Sequence, residues 1–147
     1  MTVEIRRATE KDLDAVLSLL AESGLPQDDL ADHLETTLVA TDNSQIVGSA
    51  ALELYPDGAL LRSVAVAPRL RGSGLGHRLT DAATELTRQL RVPALFLLTT
   101  TAEDFFRRVG FARIGRGGVP HTLQQSVEFK AACPSTATVM MKVLATA

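Results

Sequence analysis

Hydrophobic and polar positions change rhythm several times along this 147-residue chain, and the changes predict its elements. Glu4 to Ala8 reads as a short strand. Thr9 and Asp12 then stand at capping-box spacing, with Asp in place of the usual Glu or Gln. Leu13, Val16, Leu17 and Leu20 follow at helical spacing and give one apolar face. Gly24 and Pro26 stop that helix. Asp28 to Leu34 predicts a weaker second helix, and the intervening loop Ser23-Gly24-Leu25-Pro26 is a candidate substrate lid. The period then shortens to that of strands. Thr37–Thr41, Gln45–Tyr55 and Leu60–Ala67 predict a three-strand meander, with turn clusters at Asp42-Asn43-Ser44 and Pro56-Asp57-Gly58. A four-residue loop over 56–59 pairs Tyr55 with Leu60 and sets Glu53 opposite Arg62; a bulge would shift that register.

The second half changes character. A glycine-rich turn, Arg71-Gly72-Ser73-Gly74-Leu75-Gly76, leads into a helix over Leu75–Arg91. Its apolar stripe is Leu75, Leu79, Ala82, Ala83, Leu86 and Leu90, and Pro93 ends it. Ala94-Leu95-Phe96-Leu97-Leu98 is nearly continuous and predicts a strand buried on both faces. Strand, helix and strand in this order form a right-handed crossover, so the two strands are expected to be parallel. Thr101 is the expected cap of a short helix over 102–109, with Gly110 at C′ and Phe111 packing back. Phe111–Ile114 is a short strand, Gly115–Pro120 a loop, and His121–Lys130 a short helix crossing the fold. Cys133-Pro134-Ser135 is a turn, and Thr136–Val143 is the last strand, with an edge on offer for a homodimer. The sum is an α/β fold in a single domain over 1–147: a mixed, mostly antiparallel seven-strand sheet with about four helices.

Composition narrows the functional classes. Hydrophobic residues make up 46% of the chain, and 15 basic residues nearly balance 17 acidic ones for a net charge of −2. That balance gives no reason to expect a nucleic-acid partner, and any anion site must be local. The single cysteine excludes an intramolecular disulfide, and three histidines without cysteine pairs make no zinc pattern, so no metal is expected. The N-terminus has no apolar signal core and no 18-residue apolar run exists, so no membrane partner and a cytoplasmic location are expected.

The glycine turn supplies chemistry. A strand, a glycine-rich turn and a helix N-terminus make a phosphate site, because backbone N–H groups converge there and the helix dipole favours negative charge. A nucleotide-hydrolase loop needs Lys-Ser or Lys-Thr after its last glycine, and His77-Arg78 stands there instead. A dinucleotide fingerprint needs a different glycine spacing after a first strand. The third option is the Arg-x-x-Gly-x-Gly loop of acetyl-CoA-dependent N-acetyltransferases, which Arg71, Gly74 and Gly76 fit. With the run Val64-Ala65-Val66-Ala67-Pro68 before it, and the block from Ala102 to Gly110-Phe111 after it, the chain resembles the GCN5-related N-acetyltransferase (GNAT) superfamily. Leu61–Val66, Leu97–Glu103 and Cys133-Pro134-Ser135 are further similar to small arsenic-resistance-type acetyltransferases and to the acetyltransferase part of N-acetylglutamate synthases.

The resemblance implies acetyl-CoA as cosubstrate. Its pyrophosphate would sit on Arg71, Gly72, Ser73, Gly74, Leu75, Gly76 and His77. Its pantetheine arm would lie along Val64, Ala65 and Val66, with the strand after the helix splayed away to make room. The reaction implied is direct acetyl transfer to the amine of a small, acidic, amino-acid-like acceptor. A tyrosine that often protonates the departing thiolate is replaced here by Phe106. Glu53 is the first candidate for the base, or else an ion-pair partner of Arg62. Arg62 is either that partner or a bidentate anchor for a carboxylate or arsonate. Thr99 and Thr100 are candidate acceptor contacts. Two other readings stay open: a module that binds acyl-CoA without turnover, and a protein N-acetyltransferase.

Overall fold

The computed structural model describes residues 3–126, 129 and 137–144. Seven strands form one sheet: β1 (Glu4–Arg7), β2 (Thr37–Asp42), β3 (Gln45–Tyr55), β4 (Gly58–Val66), β5 (Ala94–Thr99), β6 (Ala112–Ile114) and β7 (Thr138–Val143). Four α-helices join them: α1 (Leu13–Glu22), α2 (Leu75–Gln89), α3 (Glu103–Arg108) and α4 (His121–Gln124). The spatial order is β1-β2-β3-β4-β5-β7-β6, antiparallel throughout except for β4 and β5. The predicted second helix is a 3-10 turn over Leu30–Thr36. The helix predicted over His121–Lys130 is shorter, α4 stopping at Gln124; positions 127, 128 and 130 of that prediction and the predicted turn at Cys133-Pro134-Ser135 lie outside the described residues.

The sheet separates two apolar layers. On one face the α2 stripe of Leu75, Leu79, Ala83 and Leu86 packs with Phe106 and Phe111 onto Leu52, Leu61, Leu95 and Met140. On the other face Val16, Leu19 and Leu20 of α1 cover Val39, Ala51 and Ala65. A second cluster on that face gathers Leu60, Phe96 and Val139 beneath Leu123 of α4. Leu90 falls outside this pattern: α2 stops at Gln89 and Leu90 is exposed. Three buried threonines of α2 complete its sheet-facing side. Thr80, Thr84 and Thr87 donate their hydroxyls to the carbonyls of Gly76, Thr80 and Ala83, which satisfies a group that a purely apolar stripe could not place there.

Two predicted registers need correction. The β3–β4 loop is two residues, Pro56 and Asp57, so Tyr55 pairs with Gly58. Glu53 therefore faces Leu60, and Arg62 faces Ala51. A slip of two residues keeps every side chain on its face, so Glu53 and Arg62 still meet diagonally. The last strand offers no free edge, because β7 lies between β5 and β6; the outer strands are β1 and β6.

A bulge in β4 prepares the site. Ser49 pairs with Ala65 while Ala51 pairs with Arg62, so Ser63 and Val64 together oppose a single residue. Ser63 takes φ +57, and its carbonyl accepts the Ser49 hydroxyl at 2.7 Å. The extra residue reverses the alternation. Before it, Arg62 shares a face with Ala51, toward α1; after it, Val64 and Val66 turn toward α2.

Candidate active site

The sheet opens where β4 and β5 part. Their parallel pairing consists of Ala59 with Leu95 and Leu60 with Phe96, at the start of both strands. Beyond it lies a cavity of about 830 Å³. Leu61–Val66 of β4 form one wall and Leu97–Thr99 of β5 the other, with Phe105 and Phe106 of α3 beside them. Arg71 and Gly76 stand at one end, and Ser23–Pro26 with Asp28 cover the other. The loop expected to act as a lid thus forms part of the wall.

The glycine turn is shaped by backbone conformation. Gly72 and Gly74 have φ of +81 and +90, values that L side chains rarely adopt, and a Cβ at either would point into open space. Ser73 closes the turn through its N–H on the Leu70 carbonyl at 3.2 Å. Helix α2 starts at Leu75, so the first-turn N–H groups of Leu75, Gly76 and His77 have no carbonyl four residues back within the helix. The Leu75 side chain is buried in the core, leaving its amide as its contribution. Gly76 lies where a Cβ would come within 3.3 Å of the Phe105 ring. Arg71 donates from Nε to the Val66 carbonyl at 3.3 Å, which sets its guanidinium between the turn and the end of β4. His77 is half exposed and its Nε2 lies 3.1 Å from Asp81.

At the other end Arg62 is the centre of a polar network in an otherwise apolar face. Its side chain is 1% exposed. Nη1 donates to Asp29 Oδ1 at 2.6 Å and to Glu53 Oε2 at 2.9 Å. Nη2 donates to the Asp28 carbonyl at 2.8 Å, and Nε to the Ser63 hydroxyl at 3.1 Å. Glu53 is fully buried and accepts the Tyr55 hydroxyl on its other oxygen. Burial, then the bond to the Glu53 carboxylate, pushes the Tyr55 phenol well above its ordinary range. His33 Nε2 stands 3.3 Å from Asp29 and 3.6 Å from Glu53. Asp29, His33 and Glu53 could converge on a cation, but the Arg62 guanidinium already bonds both carboxylates.

The sequence-derived candidates therefore divide. Arg62, Val64, Ala65, Val66, Arg71, Gly76, Thr99 and Thr100 all line the cavity. Gly72, Ser73, Gly74 and His77 flank its outer end on the turn and on α2. Glu53 does not reach the wall; it holds Arg62 from behind. The expected cap at Thr101 is not formed: Ala102 stands at the N-cap of α3 with no side-chain cap, and Thr99 Oγ1 accepts the Ala102 N–H at 3.0 Å in the turn before it. Asp29 and His33 went unread in the sequence, because they reach Arg62 and Glu53 from the loop before a 3-10 turn and from the turn itself, neither of which has helical periodicity. Tyr55 was legible in principle, standing two residues from Glu53 on the same strand face.

Residues 33–113 match the family model described as an acetyltransferase (GNAT) domain. An amino-acid acetyltransferase of Mycobacterium tuberculosis is 38% identical over 81 residues, covering 54% of this chain and 45% of that protein. The chain thus spans less than half the length of this curated relative. The solved N-acetylglutamate synthase of Neisseria gonorrhoeae, complexed with coenzyme A and N-acetyl-glutamate, superimposes with a TM-score of 0.85 at 22% identity, over 99% of this chain and 36% of that one. Its likeness is one of fold. The Mycobacterium tuberculosis protein Rv2747, solved in complex with CoA, gives 0.83 at 25% identity over 97% of this chain and 99% of its own. The split sheet, the glycine turn at the head of α2 and the family match over more than half the chain lead to one conclusion: this chain belongs to the GNAT acetyltransferase family, whose acetyl donor is acetyl-CoA.

Proposed function

We propose that this protein transfers the acetyl group of acetyl-CoA to the amine of a small, acidic amino acid or a close analogue of one. The observation that carries the reading is the single cavity running from the glycine turn to Arg62 between the parted strands. A donor that enters at one end and an acceptor that enters at the other meet beside Val64.

The residues present fit acetyl-CoA. The open space outside Gly72 and Gly74 and the first-turn amides of α2 suit a diphosphate, with Arg71 adding charge. The wall of β4 from Val64 to Val66 is not paired to β5, so its backbone can bond an amide-bearing arm as an added strand would. The bound cosubstrate supplies an activated acetyl thioester and needs no covalent enzyme step. Backbone N–H groups on the cavity side of the bulge are the donors for the thioester oxygen. The acceptor amine loses its proton to water in the cavity, since the buried Glu53 carboxylate does not line it. Tyr55 is the sequence's only tyrosine. Its hydroxyl is tied to Glu53 away from the wall, so the thiolate leaves without a tyrosine acid.

Arg62 anchors the acceptor's carboxylate or arsonate, with Thr99 and Thr100 as neighbouring hydroxyl donors. The relatives named amino-acid acetyltransferases support an amino-acid acceptor. The test is thiol release from acetyl-CoA with a panel of amines: glutamate, aspartate, glutamine, neutral amino acids, an amino-bearing arsonate and a peptide with a free N-terminus. Release with acidic acceptors above their amides is expected. Binding of acetyl-CoA with no release from any amine would replace the reading by a sensor module, which the lack of a wall tyrosine would suit.

A further inference from the structure

Arg62 carries more negative partners than one guanidinium nitrogen needs. Nη1 bonds two carboxylates at once, Asp29 at 2.6 Å and Glu53 at 2.9 Å. The two differ in how firmly they are held. Glu53 is on β3, is fully buried and is fixed on its second oxygen by Tyr55. Asp29 is on a loop, its side chain is 21% exposed, and its backbone has φ +52, a conformation that costs a non-glycine residue energy. Asp28, which precedes it, lines the cavity and accepts Arg62 Nη2 through its carbonyl. Ser23–Pro26, a few residues upstream, form the lid wall.

We propose that Asp29 is a specificity-determining residue: its carboxylate occupies the seat on Arg62 that the acceptor's carboxylate takes, so that only an anionic acceptor can displace it and draw the Asp28–Asp29 segment aside. This rests on the acidic-acceptor reading above and deepens it. The exchange is balanced in charge. One carboxylate leaves Nη1 and another arrives, while Glu53 keeps Arg62 in place. The released Asp29 turns to water and to His33, whose Nε2 is already 3.3 Å away. A neutral acceptor offers no replacement charge and leaves the seat filled. The competing internal carboxylate weakens the acceptors that need Arg62 and leaves the others untouched, so it sets how strongly an acidic acceptor is preferred.

Asp29→Asn is the informative variant, because Asn tolerates positive φ and keeps the side-chain shape. KM for the best carboxylate acceptor should fall roughly tenfold, the order expected when one charge-assisted hydrogen bond no longer competes. Its kcat, and KM for acetyl-CoA, should stay within about twofold of wild type. The amide of the same acceptor should gain less. Asp29→Glu should restore the wild-type KM in part, which a purely structural role would not predict. An unchanged or raised KM for the carboxylate acceptor in a folded Asp29→Asn protein overturns the proposal. Calorimetric binding of glutamate in the presence of coenzyme A separates the two readings. If no amine releases thiol, yet glutamate binds Asp29→Asn more tightly than wild type, the transferase reading fails and the exchange stands. If neither protein binds glutamate or another acidic acceptor, the exchange fails whatever the fate of the transferase reading.

Discussion

At the donor end of the cavity, everything the site needs comes from one run of chain. Val64 to Val66, Arg71 and the glycines up to Gly76 contribute backbone, one guanidinium and a helix start, in sequence order. At the acceptor end, Arg62 collects Asp29 from 33 residues upstream and Glu53 from the neighbouring strand. The donor end is a property of backbone conformation, so most side chains there can vary without loss. The acceptor end is a property of buried charge, where a single substitution strands its partners. One fold can therefore keep its cosubstrate while its acceptor changes.

The sharpest test of that contrast is Arg62→Ala. It leaves Glu53 fully buried, with the Tyr55 hydroxyl and, at 3.6 Å, His33 Nε2 as the remaining partners described above. Breaking a buried pair in this way costs about 3–5 kcal/mol. Urea denaturation at neutral pH should show that loss. Arg62→Met combined with Glu53→Leu should recover most of it, since both charges then leave together. A loss of under about 1 kcal/mol for the single variant would show that the network is solvated, and the contrast between the two ends would fail.

The donor end should respond to a smaller change in a different currency. Gly74→Ala adds a Cβ that meets nothing within 4 Å, so the only penalty is its φ of +90. That conformation costs an alanine about 1–2 kcal/mol. Coenzyme A affinity measured by calorimetry should weaken roughly tenfold as the turn relaxes. Ser73→Ala removes the hydroxyl bond to the Leu70 carbonyl but keeps the Ser73 N–H bond to the same carbonyl and imposes no positive φ, so it should weaken binding less. If the two variants weaken binding equally, the turn acts through side chains and the distinction breaks from the other side.

A third region belongs to neither end and calibrates both. The Arg6 guanidinium, bonded to both oxygens of Asp12 at 2.8 and 3.0 Å, holds that carboxyl down at about 2, with help from the Thr9 N–H. A carboxyl whose folded pKa lies below its unfolded value stabilises the fold fully above the unfolded pKa. That contribution disappears as pH falls from about 4 through the folded value of about 2. Arg6 is 45% exposed, which screens the pair. Asp12→Asn should then cost about 1 kcal/mol at pH 7 and almost nothing near pH 2. Neither coenzyme A affinity nor acceptor KM should move.

The same contrast explains what the amino-acid sequence discloses. The donor end is written locally. Glycine spacing, a preceding apolar strand and a following amphipathic helix suffice to place Arg71 to Gly76, because each residue's neighbours in space are its neighbours in the chain. The acceptor end is written across segments. Arg62 and Glu53 could be paired from strand alternation even with a register two residues out, since that slip preserves the face. Asp29 and His33 could not. Asp29 sits on the loop just before a 3-10 turn and His33 within that turn, whose short run has no stripe to read, and only the folded chain brings them to Arg62 and Glu53. The last strand misled for the same reason: its place between β5 and β6 depends on long-range pairing that alternation does not encode.

The smallest expected effect concerns the wall between the two ends. Phe106 lines the cavity, and it packs edge-to-face on Phe105 at 5.1 Å and on Phe111 at 5.8 Å. Phe106→Tyr adds a hydroxyl to that stack. A thiol with an ordinary pKa of about 8.5 leaves readily as its anion near neutral pH, so a proton donor has little barrier left to lower. Steady-state thiol release between pH 6 and 9 should show kcat within about threefold of wild type, equivalent to well under 1 kcal/mol of barrier. A rise of tenfold or more, confined to the range where a phenol is protonated, would mean that departure of the thiolate limits turnover. The wall would then take part in the chemistry through its side chains, and the division between a backbone-built donor end and a charge-built acceptor end would need a third member.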